Sequence, residues 1–159
     1  MLELRVLFGE QRCLDRRRWQ EAIRSGGFEL TLEGELPSEH GASVFVPCTF
    51  EGLESGFDLV LERFAAAEWS FPPEDAARAA SFDAVLTLTT YANAQEIAGA
   101  LTAAAAYAAA VDGAILDAYF DERIVPAAEA LDWARSKLPD TRRQFDGASR
   151  IRKKTSSDG

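Results

Sequence analysis

Few side chains in this sequence are arranged for covalent chemistry. There is one histidine, His40, in the polar loop Pro-Ser-Glu-His-Gly-Ala, and there are two cysteines, Cys13 and Cys48, in unlike surroundings. A serine hydrolase needs a nucleophile within reach of a base, and no Gly-x-Ser-x-Gly turn accompanies the lone histidine. Cys48 follows Pro47 inside an apolar run, with no neighbouring cation to stabilise a thiolate, which marks it as a core thiol. The cysteines share no metal-type spacing with each other or with His40, so no zinc centre and no other cofactor is expected. Reduced thiols of this kind suit a cytoplasmic protein. Gly26-Gly27 follows a helical stretch instead of opening one, the reverse of a dinucleotide-binding turn.

Carboxylates are the more informative set. Asp117, Asp121 and Glu122 follow an apolar strand, where they could hold a hard cation such as Mg²⁺ and support a metal-assisted hydrolase. The plainer reading of that stretch is a solvated turn in which aspartate caps local amides. Between Glu51 and Asp75 the chain carries seven acidic residues and only Arg63 as a base, and between Asp112 and Asp132 it carries six and only Arg123. Such runs either solvate a face or steer a basic partner. If the two runs share one side of the molecule, Glu51, Glu54, Asp58, Asp121 and Glu122 are the residues expected to meet that partner.

The charge of the whole chain fits this reading. The formal net charge is −9, and residues 140–159 hold six basic against three acidic residues, which leaves the rest at −12. A surface of that sign repels phosphate backbones, so no nucleic-acid partner is expected despite Arg16, Arg17 and Arg18. The longest apolar run, 97–111, is alanine-rich and shorter than the roughly 20 residues that span a bilayer, so no membrane partner is expected either.

The elements that must position these residues follow from periodicity. Leu2, Leu4, Val6 and Phe8 alternate as a strand; the Met-Leu-Glu-Leu-Arg-Val start has none of the layout of a signal peptide. Asp15 caps a helix that carries Trp19, Ala22 and Ile23 on one face and ends at Gly26-Gly27. Residues 28–33 alternate as a second strand, and 43–64 read as a hairpin whose loop, Glu51 to Gly56, is longer than a two-residue turn. Pro47 cannot donate to a ladder and is expected at an edge or a bulge. Pro73 starts a short helix, 82–91 is a central strand, and Asn93 with Glu96 opens a helix to Val111 whose small residues let it lie close to the sheet. Residues 114–119 form a strand, 123–125 a return strand or loop, and Pro126 begins a last helix that Pro139 ends.

Successive strands without intervening helices favour an antiparallel arrangement. The expected fold is α+β: a mostly antiparallel sheet of about five to six strands with two or three helices on one face. One domain over 1–138 is followed by a basic, mobile tail over 139–159.

Three segments carry a resemblance. They are Trp-Gln-Glu-Ala-Ile-Arg-Ser-Gly-Gly-Phe (19–28), Val-Pro-Cys-Thr-Phe-Glu-Gly-Leu-Glu-Ser-Gly-Phe-Asp (46–58), and Asp-Gly-Ala-Ile-Leu-Asp (112–117) with a later Asp-Trp-Ala-Arg (132–135). In that order they resemble a family of small bacterial proteins similar to the immunity proteins of polymorphic-toxin and contact-inhibition systems. The resemblance implies a non-enzymatic protein that binds a cognate toxin and blocks it. The metal-assisted hydrolase and a regulatory adaptor without a toxin remain the alternatives.

Overall fold

The computed structural model describes residues 1–37, 39–91 and 93–141. Strands β1 (Leu2–Phe8), β2 (Leu30–Leu32), β3 (Ser43–Phe50), β4 (Leu53–Arg63), β5 (Ala84–Thr90), β6 (Ala114–Asp117) and β7 (Arg123–Pro126) join in one sheet. Its order is β2-β3-β4-β5-β1-β6-β7, and every neighbouring pair is antiparallel. The fold is therefore α+β, with seven strands where the sequence suggests five to six. The strand beyond that number is the short edge β7, whose four residues carry little periodic signal and which the sequence leaves as a return strand or loop; β2 is the expected second strand, shortened to three residues.

Helices α1 (Arg16–Ser25), α2 (Pro73–Ala79), α3 (Ala94–Ala110) and α4, spanning 127–141, complete the described residues. Alternation sends Leu4, Val6, Phe8, Leu59 and Leu88 to one face of the sheet, where they meet Trp19 and Ile23 of α1, all of α3 from Ile97 to Ala108, and Trp133 of α4. Trp19 donates its indole N–H to the Ala103 carbonyl at 2.9 Å and packs edge-on against Tyr107. α3 has no solvent face along Ile97–Ala108, because alanine side chains let the sheet and the outer helices approach from all sides. At Gly99 any Cβ would collide with the Ser55 hydroxyl of β4, so this position sets the closest approach of helix to sheet.

α2 departs from the expected arrangement. It packs on the other face, where Ala79, Phe64 and Phe71 cover Leu7, Val85 and Ala114. Those three residues point away from α3, and among the described residues the chain between β4 and β5 lies over them.

The β3–β4 connection is a two-residue turn, not the longer loop. Glu51 (φ 50°) and Gly52 (φ 81°) take the left-handed pair that matches strand twist, and Glu54, Ser55 and Gly56 lie within β4. Pro47 sits in β3, which is not an edge strand. Its carbonyl accepts from the Glu33 N–H just beyond β2, which puts the missing donor on the side where β2 has ended.

α4 continues through Pro139 to residue 141, so Pro139 does not end it and residues 139–141 belong to the domain, not the tail. The last turn is held by buried Thr141, whose hydroxyl donates to the Lys137 carbonyl at 2.9 Å. The expectation for 142–159 lies outside the described residues. Among the described residues, no helix is long and apolar enough to cross a membrane.

Candidate functional site

Strand register divides the second face of the sheet in two. α2 and its flanking aromatics cover the part made by Leu7, Val85 and Ala114, whereas among the described residues no helix lies over the part made by β3, β4 and the adjoining ends of β5 and β1. On this uncovered part Phe45, Asp58, Thr89 and Glu3 stand in one row across four strands, each opposite the next. The neighbouring row runs Val60, Thr87, Arg5 and Leu116. Since side chains alternate along a strand, Glu54, Asp58 and Glu62 all emerge from β4 on this face, with Gly56 and Val60 between them.

Aromatic rings are exposed among these carboxylates. Phe45 is 55% exposed and Tyr91 64%, values that mark rings presented to solvent and not packed into the core. The distal end of the Phe45 ring lies over Gly56, close enough that a Cβ there would strike it. The Tyr91 hydroxyl donates to Asp58 Oδ2 at 2.7 Å. That bond to a carboxylate raises the ionisation of the phenol above its ordinary range, with the negative charge of Asp58 adding in the same direction. Arg5, the cation in these rows, is paired with Glu3 at 2.5 Å and lies 5.2 Å from the Trp69 ring centroid.

The five residues expected to meet a partner do not gather at one end of the sheet. Register sets Leu116 level with Val60, so the turn after β6 stands beside the middle of β4, three strand spacings or roughly 14 Å across the sheet, while Glu51 lies beyond the start of β4. Glu54 and Asp58 belong to the uncovered face, and Glu51 stands at the tip of the β3–β4 turn. Asp121 turns toward the helix layer, where Lys137 of α4 holds it at 2.9 Å. Glu122 lines a cleft of about 360 Å³ with Arg5, Trp69, Phe71, Asp75 and Arg123.

Asp117, Asp121 and Glu122 do not converge. Asp117 is wholly buried, and its carboxylate accepts from the backbone N–H groups of Tyr119 (3.1 Å), Phe120 (2.7 Å) and Asp121 (2.9 Å) and from the Trp133 indole (3.3 Å). Both oxygens are engaged in building the β6–β7 turn and docking α4 on it. Among the described residues, no three His, Cys, Asp or Glu side chains are grouped to hold a metal ion.

The thiols and the histidine stand apart from one another. His40 pairs with Glu10 on an exposed loop. Cys13 is exposed and receives the Tyr107 hydroxyl at 3.4 Å, while Cys48 is buried between β3 and α3 with its pKa pushed up to about 11 by burial. A thiol held neutral in this way is a poor nucleophile.

Sequence reasoning missed Phe45 and Tyr91. The one signal was the unbroken run Val44-Phe45-Val46, where strict alternation would place a polar residue at 45 if that face were simply solvated. Comparison of the chain with protein-family models, with curated proteins and with solved structures gives no match.

Proposed function

We propose that the protein is a non-enzymatic binding protein that captures a basic protein on the uncovered sheet face, and that this partner is a toxin whose basic active-site cleft it occludes in the cytoplasm. The observation that carries the reading is the placement of Glu54 and Asp58 among the exposed rings of Phe45 and Tyr91, on a face without helical cover. Aromatic residues are enriched in interface centres, and carboxylates around them favour a partner of opposite sign and accelerate its approach. The net charge of −9 acts in the same sense at longer range. Glu122 borders the face three strands from β4 and Glu51 stands at the turn before β4, whereas Asp121 contributes least because it turns to the helix layer and Lys137 already neutralises it. The toxin assignment is supported by the resemblance of residues 19–28, 46–58, 112–117 and 132–135 to a family similar to immunity proteins. The same carboxylates that attract a basic protein repel nucleic acid.

The test compares the intact chain with an E54K/D58K variant as baits in extract of the source cells at low salt. The expected result is a basic protein retained by the former and lost by the latter, both baits giving the same circular dichroism. The captured protein, once isolated, is expected to be a toxin inhibited at a one-to-one ratio. Equal recovery by both baits, or a captured protein whose activity is unaffected, would overturn the reading.

A further inference from the structure

Within that docking face, on whose existence this step rests, we infer that Asp58 is the anchor for an arginine side chain of the partner, the guanidinium lying against the rings of Phe45 and Tyr91. The argument begins with the state of the carboxylate. Asp58 Oδ2 accepts the Tyr91 hydroxyl at 2.7 Å, which fixes the carboxylate plane, while Oδ1 has no hydrogen-bond partner among the described residues. A fixed, half-satisfied carboxylate is suited to a planar donor that offers two parallel N–H groups.

The flanking rings sharpen the choice between cations. Phe45 stands directly opposite Asp58 on β3, and its tip rests over Gly56, so the ring is laid along the sheet with most of its surface open. Tyr91 reaches Asp58 from the end of β5 and is still more exposed. No ring contact joins Phe45 to Tyr91 among the described residues, so the carboxylate between them stays reachable. Guanidinium is flat, weakly hydrated and able to stack on an aromatic face while its edge meets a carboxylate; ammonium is compact, strongly hydrated and does neither so well. The Arg5–Trp69 contact in the next row, 5.2 Å to the ring centroid with Glu3 closing the pair, is the same arrangement made within the chain. Asp58 with Phe45 and Tyr91 repeats it with the cation still to be supplied.

The experiment uses the full chain, ¹⁵N-labelled, titrated with the peptides acetyl-Gly-Arg-Gly-amide and acetyl-Gly-Lys-Gly-amide and followed by backbone amide shifts. The arginine peptide is expected to move the signals of Phe45, Asp58 and Tyr91 and to bind about threefold or more tightly than the lysine peptide, with weak affinity in both cases. D58N, which keeps the shape of the side chain, is expected to remove that selectivity. Equal response to the two peptides, or shifts that persist in D58N, would overturn the anchor. Loss of a captured partner in E54K/D58K together with equal peptide binding overturns the anchor and leaves the docking face standing. Arginine selectivity together with unchanged capture removes the docking face and with it the anchoring role of Asp58 toward the partner.

Discussion

The Tyr91 hydroxyl and the Asp58 carboxylate, joined across 2.7 Å, tie the end of β5 to the middle of β4 on a part of the sheet that no helix covers among the described residues. Ionising the phenol would put a second negative charge beside the first, so the folded protein holds this proton more tightly than the unfolded chain does. The stabilisation is present in full below the ordinary tyrosine range near pH 10 and is lost as pH rises through the higher folded value. Spectrophotometric titration near 295 nm is expected to show an exposed tyrosine ionising late, and D58N is expected to return it to the ordinary range.

Two glycines in contact with β4 or within it respond differently to alanine. Gly99→Ala drives a methyl group into Ser55, whose hydroxyl is bonded to the Gln95 carbonyl at 2.9 Å under a fully buried helix. Either Ser55 rotates and breaks that bond or the helix moves off the sheet, and a loss of about 1–3 kcal/mol is expected in urea unfolding. Gly56→Ala meets only the end of the exposed Phe45 ring, which can swing into solvent. Stability is expected to change by less than about 1 kcal/mol, while partner capture by the proposed face falls.

Asp117→Ala leaves three part-buried backbone amides and the buried Trp133 indole without their acceptor. A cost of at least about 3 kcal/mol is expected from thermal or denaturant unfolding. Asp117→Asn keeps one acceptor oxygen and should lose less. If Asp117 instead served a metal, adding Mg²⁺ would raise the melting temperature of the unaltered protein; no such rise is expected from a carboxylate already filled by four donors.

Thiol chemistry separates the cysteines. With its pKa pushed up to about 11, Cys48 is thiolate in only about one molecule in a thousand at pH 8. A disulfide reagent is expected to label exposed Cys13 quickly and Cys48 only on unfolding. Because the folded value lies above the unfolded one near 9, Cys48 contributes stability that is intact below pH 9 and declines as pH rises from there toward 11.

Much of the frame was legible because local chemistry and tertiary packing agree. Asp15 accepts from the Arg18 amide and Asn93 from the Glu96 amide, as helix-capping residues in those positions should. β5 alternates and lies in the middle of the sheet. The hairpin was misread because Ser55 and Gly56 have the composition of a turn, yet they are small for another reason: Ser55 lies beneath Gly99 and Gly56 beneath Phe45. Pro139 looked like a stop, but it forfeits a single amide hydrogen bond near the end of the helix, and the Thr141 hydroxyl holds the last turn. The candidate site was only half visible. Glu54 and Asp58 are readable as charge, whereas their alignment with Phe45 and Tyr91 depends on the register of β3 and β5 against β4, which no local pattern specifies.

The brevity of β2 and β7 bears on how recognition would evolve. A three-residue strand at one margin and a four-residue strand ending in Pro126 at the other offer almost no free ladder for another chain to extend. Main-chain addition, which tolerates many sequences, is thereby closed off, and contact on the open face must be made by side chains. On the proposed docking face, exchanging a few of them would change the target recognised without disturbing the scaffold.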